Sequence, residues 1–371
     1  MATKKKMLEA AAGGAGGAGL DIDEVFSTYL YTGTGSALTI TNGIDLDGEG
    51  GLAWFKMRNA GFGHRLVDTE RGVTKKLESY NTAAEGTEAQ GLTAFNSNGF
   101  TVGSHDNYNA NTYDFASWTF RKAPKFFDCV TWTGTGSTQT IAHNLSSNVG
   151  FLLIKCTNTT GGWMAYHREG LSGTSWGFRR LDLDLSFFDP AGFPTYVGDG
   201  TSFIAPTSTE FVVNSNSAVN ASGNTYVAYL FAHNNGDGEF GPDSDQDIIK
   251  CGSYVGNTST KPVIDLGFEP QWLMIKSSTA GTTDDAWYIV DNMRSFEALP
   301  LHDDGSQFLR ANATDAESGA GQFQRVASNS TGFSLGSGTG WNAAGQTYIY
   351  MAIRRGPLAP PEAGTEVFEV F

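Results

Sequence analysis

Two sets of carboxylates have spacings that could support chemistry. Asp182 and Asp184 alternate within Leu181-Asp182-Leu183-Asp184-Leu185. On a strand both would project from one face, about 7 Å apart, a separation within the range glycoside hydrolases use for their paired acids. An ordinary half-exposed strand gives the same alternation, and the other two repeat units do not carry the pair, so the bland reading is preferred. Asp243, Asp245 and Asp247 also alternate, with Asp237 and Glu239 close by. Clustered oxygens suit a hard cation, and Ca²⁺ would offset their mutual repulsion. These three aspartates are the calcium candidate, set against a plain solvated linker because the full calcium-loop spacing is missing.

Other chemistry finds less footing. The histidines at 64, 105, 143, 167, 233 and 302 show no metal-ligand spacing, and neither a nucleophile elbow nor a phosphate-binding loop is present. Gly33-Thr34-Gly35 is glycine-rich, but no helix pattern follows it to receive a phosphate, so it reads as a hairpin. Asp68 with Arg71 and Asp291 with Arg294 share a D-x-x-R spacing, which a turn-closing ion pair explains. Cys129, Cys156 and Cys251 lack paired spacing and read as buried free thiols. No catalytic residue and no bound cofactor other than calcium is expected. The chain is read as non-enzymatic.

The elements around these residues are β. Charged residues make up only 17% of the chain, while 47 Gly, 25 Phe and 13 Tyr are present, a balance that favours short strands and tight turns over helices. Pairs such as Asn42-Gly43 and Asn98-Gly99 accept the positive φ of such turns. A net charge of −15 repels phosphate backbones, so nucleic acid is not an expected partner. No apolar run reaches the ~18 residues of a membrane span, so no membrane association is expected.

The chain repeats itself three times. Tyr31-Thr32-Gly33, Trp132-Thr133-Gly134 and Tyr254-Val255-Gly256 open the units. Apolar strands ending in Lys56, Lys155 and Lys276 follow, spaced by 99 and 121 residues. Tyrosine-bearing strands close them, with Tyr113, Tyr226 and Tyr348 as landmarks spaced by 113 and 122. A period near 110 residues is too long for a solenoid turn and matches one β-sandwich. The predicted fold is therefore all-β: three tandem jelly-roll-like sandwiches at 25–127, 128–236 and 248–356, each burying its own aromatic interior. An acidic linker spans 237–247, and an extended, proline-bearing tail spans 357–371. The joint Arg121 to Asp128 has no glycine or serine slack and reads as stiff. Residues 1–24 form a leader, partly helical and glycine-hinged, whose Lys4, Lys5, Lys6 and Leu8 are the candidate anchor into a neighbouring protein.

The segments Ile40 to Leu46, His64 to Gly72, Trp118 to Asp128, and Gly238 to Gly252 resemble a domain family of marine bacteriophages found in virion structural and tail-fibre-like proteins. The resemblance spans nearly the whole chain after the leader. It implies a concanavalin-like or jelly-roll sandwich on a phage particle and supplies no catalytic residues. The expected role is a tail-fibre or tail-associated attachment protein, made in the host cytoplasm and held in the virion by its leader. Its expected partners are other virion proteins, further copies of itself and a host surface glycan. Capsid decoration and polysaccharide depolymerisation are the alternatives.

Overall fold

Short β-branched and aromatic runs punctuated by Gly and Asn close into antiparallel sheets, and they do so here. The computed structural model describes residues 19–172, 175–183, 196–199, 203–258, 260, 262–278, 286–294, 296–298, 307–318, 326–336 and 340–356. These are almost all strand and turn. The described helical elements are two four-residue α-helices, Asp106–Asn109 and Ser217–Asn220, and one 3-10 turn, Ile22–Glu24. No described helix is long and apolar enough to cross a membrane.

One strand order is used three times. In the first unit the opening strand Phe26–Thr32 pairs with the closing strand Asp114–Arg121, which pairs with Gly51–Met57, which pairs with Arg65–Asp68. The second unit places Phe127–Thr133, Thr225–Ala232, Val149–Cys156 and Met164–Ser172 in the same antiparallel order. The third does so with Ile249–Val255, Thr347–Arg354, Pro270–Ser277 and Tyr288–Asp291. Each main sheet is backed by a smaller one, built on the pairs Leu38–Thr41 with Gly99–Val102, Gln139–Ala142 with Glu210–Val213, and Val263–Asp265 with Gly332–Leu335. The result is a set of all-β sandwiches.

Register defines which residues are equivalent. Lys56, Lys155 and Lys276 face Ala116, Val227 and Ile349 on the closing strands. Tyr31, Trp132 and Tyr254 face Phe115, Tyr226 and Tyr348, and these pairs stack alike, at 5.1, 5.3 and 5.1 Å between ring centroids. One sequence landmark is thereby corrected. Tyr113 precedes its strand and is exposed, and the counterpart of Tyr226 and Tyr348 is Phe115. What repeats is the stacking aromatic ring, not the hydroxyl.

The opening motif is not a hairpin either. After Thr32 the chain leaves the main sheet and crosses to the small one. A Cβ on Gly33, Gly134 or Gly256 would lie 2.1, 2.2 or 2.3 Å from the carbonyl oxygen of Ala110, Ala221 or Ala343, so close approach of another backbone explains the glycine. An asparagine secures each crossing: the side-chain oxygens of Asn109, Asn220 and Asn342 accept from the backbone N–H of Thr34, Thr135 and Asn257 at 2.7, 2.9 and 2.6 Å.

The main sheets are buried on both faces. In the third unit Leu273, Ile275, Tyr348 and Tyr350 close the unit's own interior with Phe333 and Leu335. The alternating residues Trp272, Met274, Ile349 and Met351 join a core that all three units share. In the first unit Phe55 turns inward to Phe100 and Tyr108, while Trp54, Trp118 and Phe120 join the common core. Phe120 there meets Phe231 of the second unit at 5.3 Å and Trp272 of the third at 6.1 Å. The sandwiches thus bury their own interiors and a fourth, central one between them.

The acidic segment 237–247 packs against the body. Phe240 is buried and bridges to Leu20, and Lys125 reaches the carbonyl of Asp237 at 2.8 Å. The leader up to residue 18 and the tail from 357 lie outside the described residues.

Candidate functional site: the junctions between units

Asp182 is a buried structural acceptor. It takes the backbone N–H of Trp163 at 2.8 Å and pairs with Arg180. Asp184 lies outside the described residues. Within the calcium candidate set, Asp247 accepts from the backbone N–H of Gly236 at 2.9 Å and Gly238 at 3.1 Å, and it lies 3.6 Å from Lys250. Asp243 and Asp245 are exposed on the same turn. Among the described residues no three His, Cys, Asp or Glu side chains are grouped to hold a metal ion. The anchor residues Lys4, Lys5, Lys6 and Leu8 lie outside the described residues. All three cysteines are buried and free, and burial pushes the thiols of Cys129 and Cys251 up, which keeps them protonated and inert.

The D-x-x-R motifs do more than close turns. Asp68 and Asp291 are buried and pair with Arg71 and Arg294 at 2.6 and 2.7 Å, as their spacing predicts. Each carboxylate also takes a donor from the closing strand of another unit. The Tyr229 hydroxyl donates to Asp68 at 2.7 Å, and the Trp118 indole N–H donates to Asp291 at 2.9 Å. Burial, reinforced by Asp68, holds the Tyr229 pKa well above its ordinary value, so the hydroxyl keeps its proton. His167 fills the equivalent position in the second unit, facing Phe151 as Asp68 faces Leu52 and Asp291 faces Trp272. Its Nδ1 accepts from the Glu169 amide, so Nε2 carries the proton and donates to the Tyr350 carbonyl of the third unit at 3.0 Å.

A second set of equivalent positions repeats the arrangement. The indole N–H groups of Trp163 and Trp287 donate to the carbonyls of Glu78 and Arg180 at 2.8 and 3.0 Å. In the first unit this place is held by His64, whose Nδ1 accepts from Trp54 at 2.9 Å. Burial holds its pKa well below the usual imidazole value, so the ring is neutral and Nε2–H donates to the Arg310 carbonyl at 3.0 Å. The strand-end lysines act likewise. Lys56 donates to its own Met57 carbonyl at 2.6 Å and to that of Thr314 in the third unit at 3.3 Å. Lys155 donates to Gly161 at 2.8 Å and reaches Thr82 in the first unit at 3.4 Å. His64, Trp163 and Trp287 reach from unit one to three, from two to one and from three to two, and Lys56 and Lys155 reach in the same sense. The three units form a closed, pseudo-threefold ring.

Beside one junction lies an open cleft of about 550 Å³ between the first and second units, lined by Glu70, Arg71, Glu85, Thr131, Thr157 and Thr225 among others. Arg71 bonds Glu85 at 3.1 Å, and the Glu85 amide donates to the Thr157 carbonyl at 2.7 Å. The junction between units three and one repeats both contacts, with Arg294 bonding Glu317 at 3.0 Å and the Glu317 amide donating to the Arg58 carbonyl. There the space is occupied, because Arg58 forms a two-pronged ion pair with Glu317 at 2.7 and 3.0 Å. Thr157 stands where Arg58 would, and too short a side chain leaves the cleft open.

These contacts escape motif reasoning because the equivalent residues differ in type. Tryptophan, histidine, tyrosine and aspartate perform one task at matching register positions, and only the lysines keep their identity.

Compared with known proteins, the chain matches the profile of a family described as a domain of unknown function (DUF7483) over residues 21–357. No curated protein matches it. A solved structure titled "Crystal Structure of the STIV MCP" aligns at a TM-score of 0.20 and 10% identity, covering 62% of this chain and 95% of that one. A score that low carries no argument about shape or role.

Proposed function

The chain belongs to the DUF7483 family, and from that premise we propose that it is a structural protein of a bacteriophage particle, tail-associated and serving attachment. The observation that carries this reading is the closed ring: three sandwiches locked through buried donors and one common core make a rigid block suited to bearing load. The phage assignment rests on the sequence resemblance described above. In this reading the leader, with Lys4 to Lys6 and Leu8, plugs into another virion protein, the exposed loops face a host surface glycan, and further copies complete the assembly. The block is non-enzymatic, its buried carboxylates being engaged in internal ion pairs.

Cryo-electron microscopy of intact particles, with the chain located by a bound antibody fragment, tests the reading. Density on the tail or baseplate is the expected result. A second reading, capsid decoration, draws on the pseudo-threefold symmetry, since one copy could cap a threefold point of a shell unaided. Repetitive density on the shell would favour it. Release of reducing sugar from host polysaccharide would overturn the non-enzymatic assignment, and absence of the chain from purified particles would overturn the whole proposal.

A further inference from the structure

We infer that the cleft between the first and second units is a binding site for an uncharged saccharide. This deepens the attachment reading above by naming a ligand class and a place. Its volume of about 550 Å³ lies inside the roughly 300–1,000 Å³ range of small-molecule clefts. The lining selects among ligands. Thr131 and Thr225 are exposed, with Thr157 behind them bonded hydroxyl to hydroxyl with Thr225 at 2.6 Å. Hydroxyls both donate and accept, and Glu70 and Glu85 add acceptors, while the Arg71 guanidinium behind them is held by Asp68, Leu66 and Glu85. Such a surface matches a ligand made of hydroxyl groups. An apolar ligand would strand these groups. An anion would meet two carboxylates on a chain of net charge −15. A free cation would meet glutamates already bonded to Arg71 and Lys122.

The comparison between junctions shows which side chains open the cleft. Three positions are altered together. Leu30, Arg58 and Asp114 in the first unit become Thr131, Thr157 and Thr225 in the second, as register and the matching backbone bonds of Arg58 to Asp114 and of Thr157 to Thr225 establish. An apolar residue, a cation and an anion are each replaced by a hydroxyl on one wall. The corresponding wall of the third unit, Ser253, Ser278 and Thr347, is hydroxyl-bearing as well.

Ligand-detected saturation-transfer NMR on the full chain tests the site, with lactose, maltose, cellobiose and chitobiose as probes at millimolar concentration. At least one should give transfer signals. Thr157→Arg, which copies Arg58, should fill the cleft by pairing with Glu85 and weaken binding at least about tenfold, a 1.4 kcal/mol loss. Thr131→Leu, which copies Leu30 on the exposed rim, gives an independent second variant that leaves the buried contacts alone. The melting curve of Thr131→Leu should match the parent. Absence of signal from all four probes overturns the site. Signal that survives both substitutions also overturns it, placing the sugar elsewhere while the attachment reading stands. Absence of the chain from tail and baseplate would sink the attachment reading and leave the cleft result untouched.

Discussion

Trp118 of the first unit donates its indole N–H to the carboxylate of Asp291 in the third, at 2.9 Å and across 173 residues of sequence. Arg294, fully buried, bonds the same carboxylate oxygen and lies over the Trp118 ring, its guanidinium carbon 5.3 Å from the centroid. One carboxylate therefore neutralises a buried charge and ties two units together. The two roles can be separated by mutation.

Asp291→Asn takes the nearer of two carboxylates from the buried Arg294 and leaves it Glu317 alone, which should cost about 3 kcal/mol. Trp118→Phe keeps the ion pair, removes a hydrogen bond to a charged group worth about 1.5–3 kcal/mol, and trims the ring that lies over Arg294. Urea unfolding followed by tryptophan fluorescence and circular dichroism measures both. If Trp118→Phe proved the more damaging, the junction would rest on packing rather than on the carboxylate.

The sequence made the repeat legible and hid the ring. Lys56, Lys155 and Lys276 mark equivalent strand ends because a buried ammonium needs carbonyls that only that strand end supplies. The D-x-x-R ion pairs were legible too, being local. The donors that complete them, Trp118 and Tyr229, were not. They belong to other units and differ in type, so neither spacing nor identity signals the match. The closing strand hinted at more. Tyr226 to Ala232 is buried throughout, as an apolar pattern on both faces predicts, yet the pattern does not say that one of the covering layers is a neighbouring sandwich. The cleft was invisible for a simpler reason. It arises from a shortened side chain, Thr157 in place of Arg58, and surface threonines carry no motif.

Trp54 and His64 form a buried pair where the other units have Leu153 with Trp163 and Met274 with Trp287. His64→Trp alone should leave the Trp54 indole N–H without its acceptor and crowd the common core, and Trp54→Leu alone should leave a cavity beside an unpaired Nδ1. Each should destabilise by about 1–3 kcal/mol. The double substitution rebuilds the second unit's arrangement and should recover much of the combined loss. A double-mutant cycle on unfolding free energies reads the coupling, and additive losses would count against the two sites being interchangeable.

Burial lowers the pKa values of His64, His143 and His233, the last to about 4. All three are held neutral in the fold, whereas the unfolded chain titrates them near an ordinary value of about 6.5. Below that pH the unfolded state binds more protons, so stability should fall as pH drops from about 6.5 and continue to fall toward 4 as His233 titrates in the fold. Lys56 and Lys155, lowered to about 8 by burial, act at the other end: stability should rise from about pH 8 toward their ordinary value of about 10.4. Urea midpoints measured across this span check both slopes. The Trp54→Leu/His64→Trp double variant should show a shallower acid limb.

The shared core makes one more claim, about cooperativity. Cut out alone, residues 25–127 would expose Leu52, Trp54, Trp118 and Phe120, which lie fully or almost fully buried against the other units. They would also strand the Asp68 and Arg71 pair without Tyr229. Burying a large side chain contributes about 1.5–3 kcal/mol, and four such losses are comparable to the ~5–15 kcal/mol net stability of a typical domain. The excised first unit should therefore bind a hydrophobic dye and lack dispersed methyl resonances in NMR spectra, while the full chain unfolds in one calorimetric transition. Three separate transitions in the full chain, or a well-dispersed spectrum from residues 25–127, would mean that each sandwich stands by itself and that the ring is a contact between finished domains.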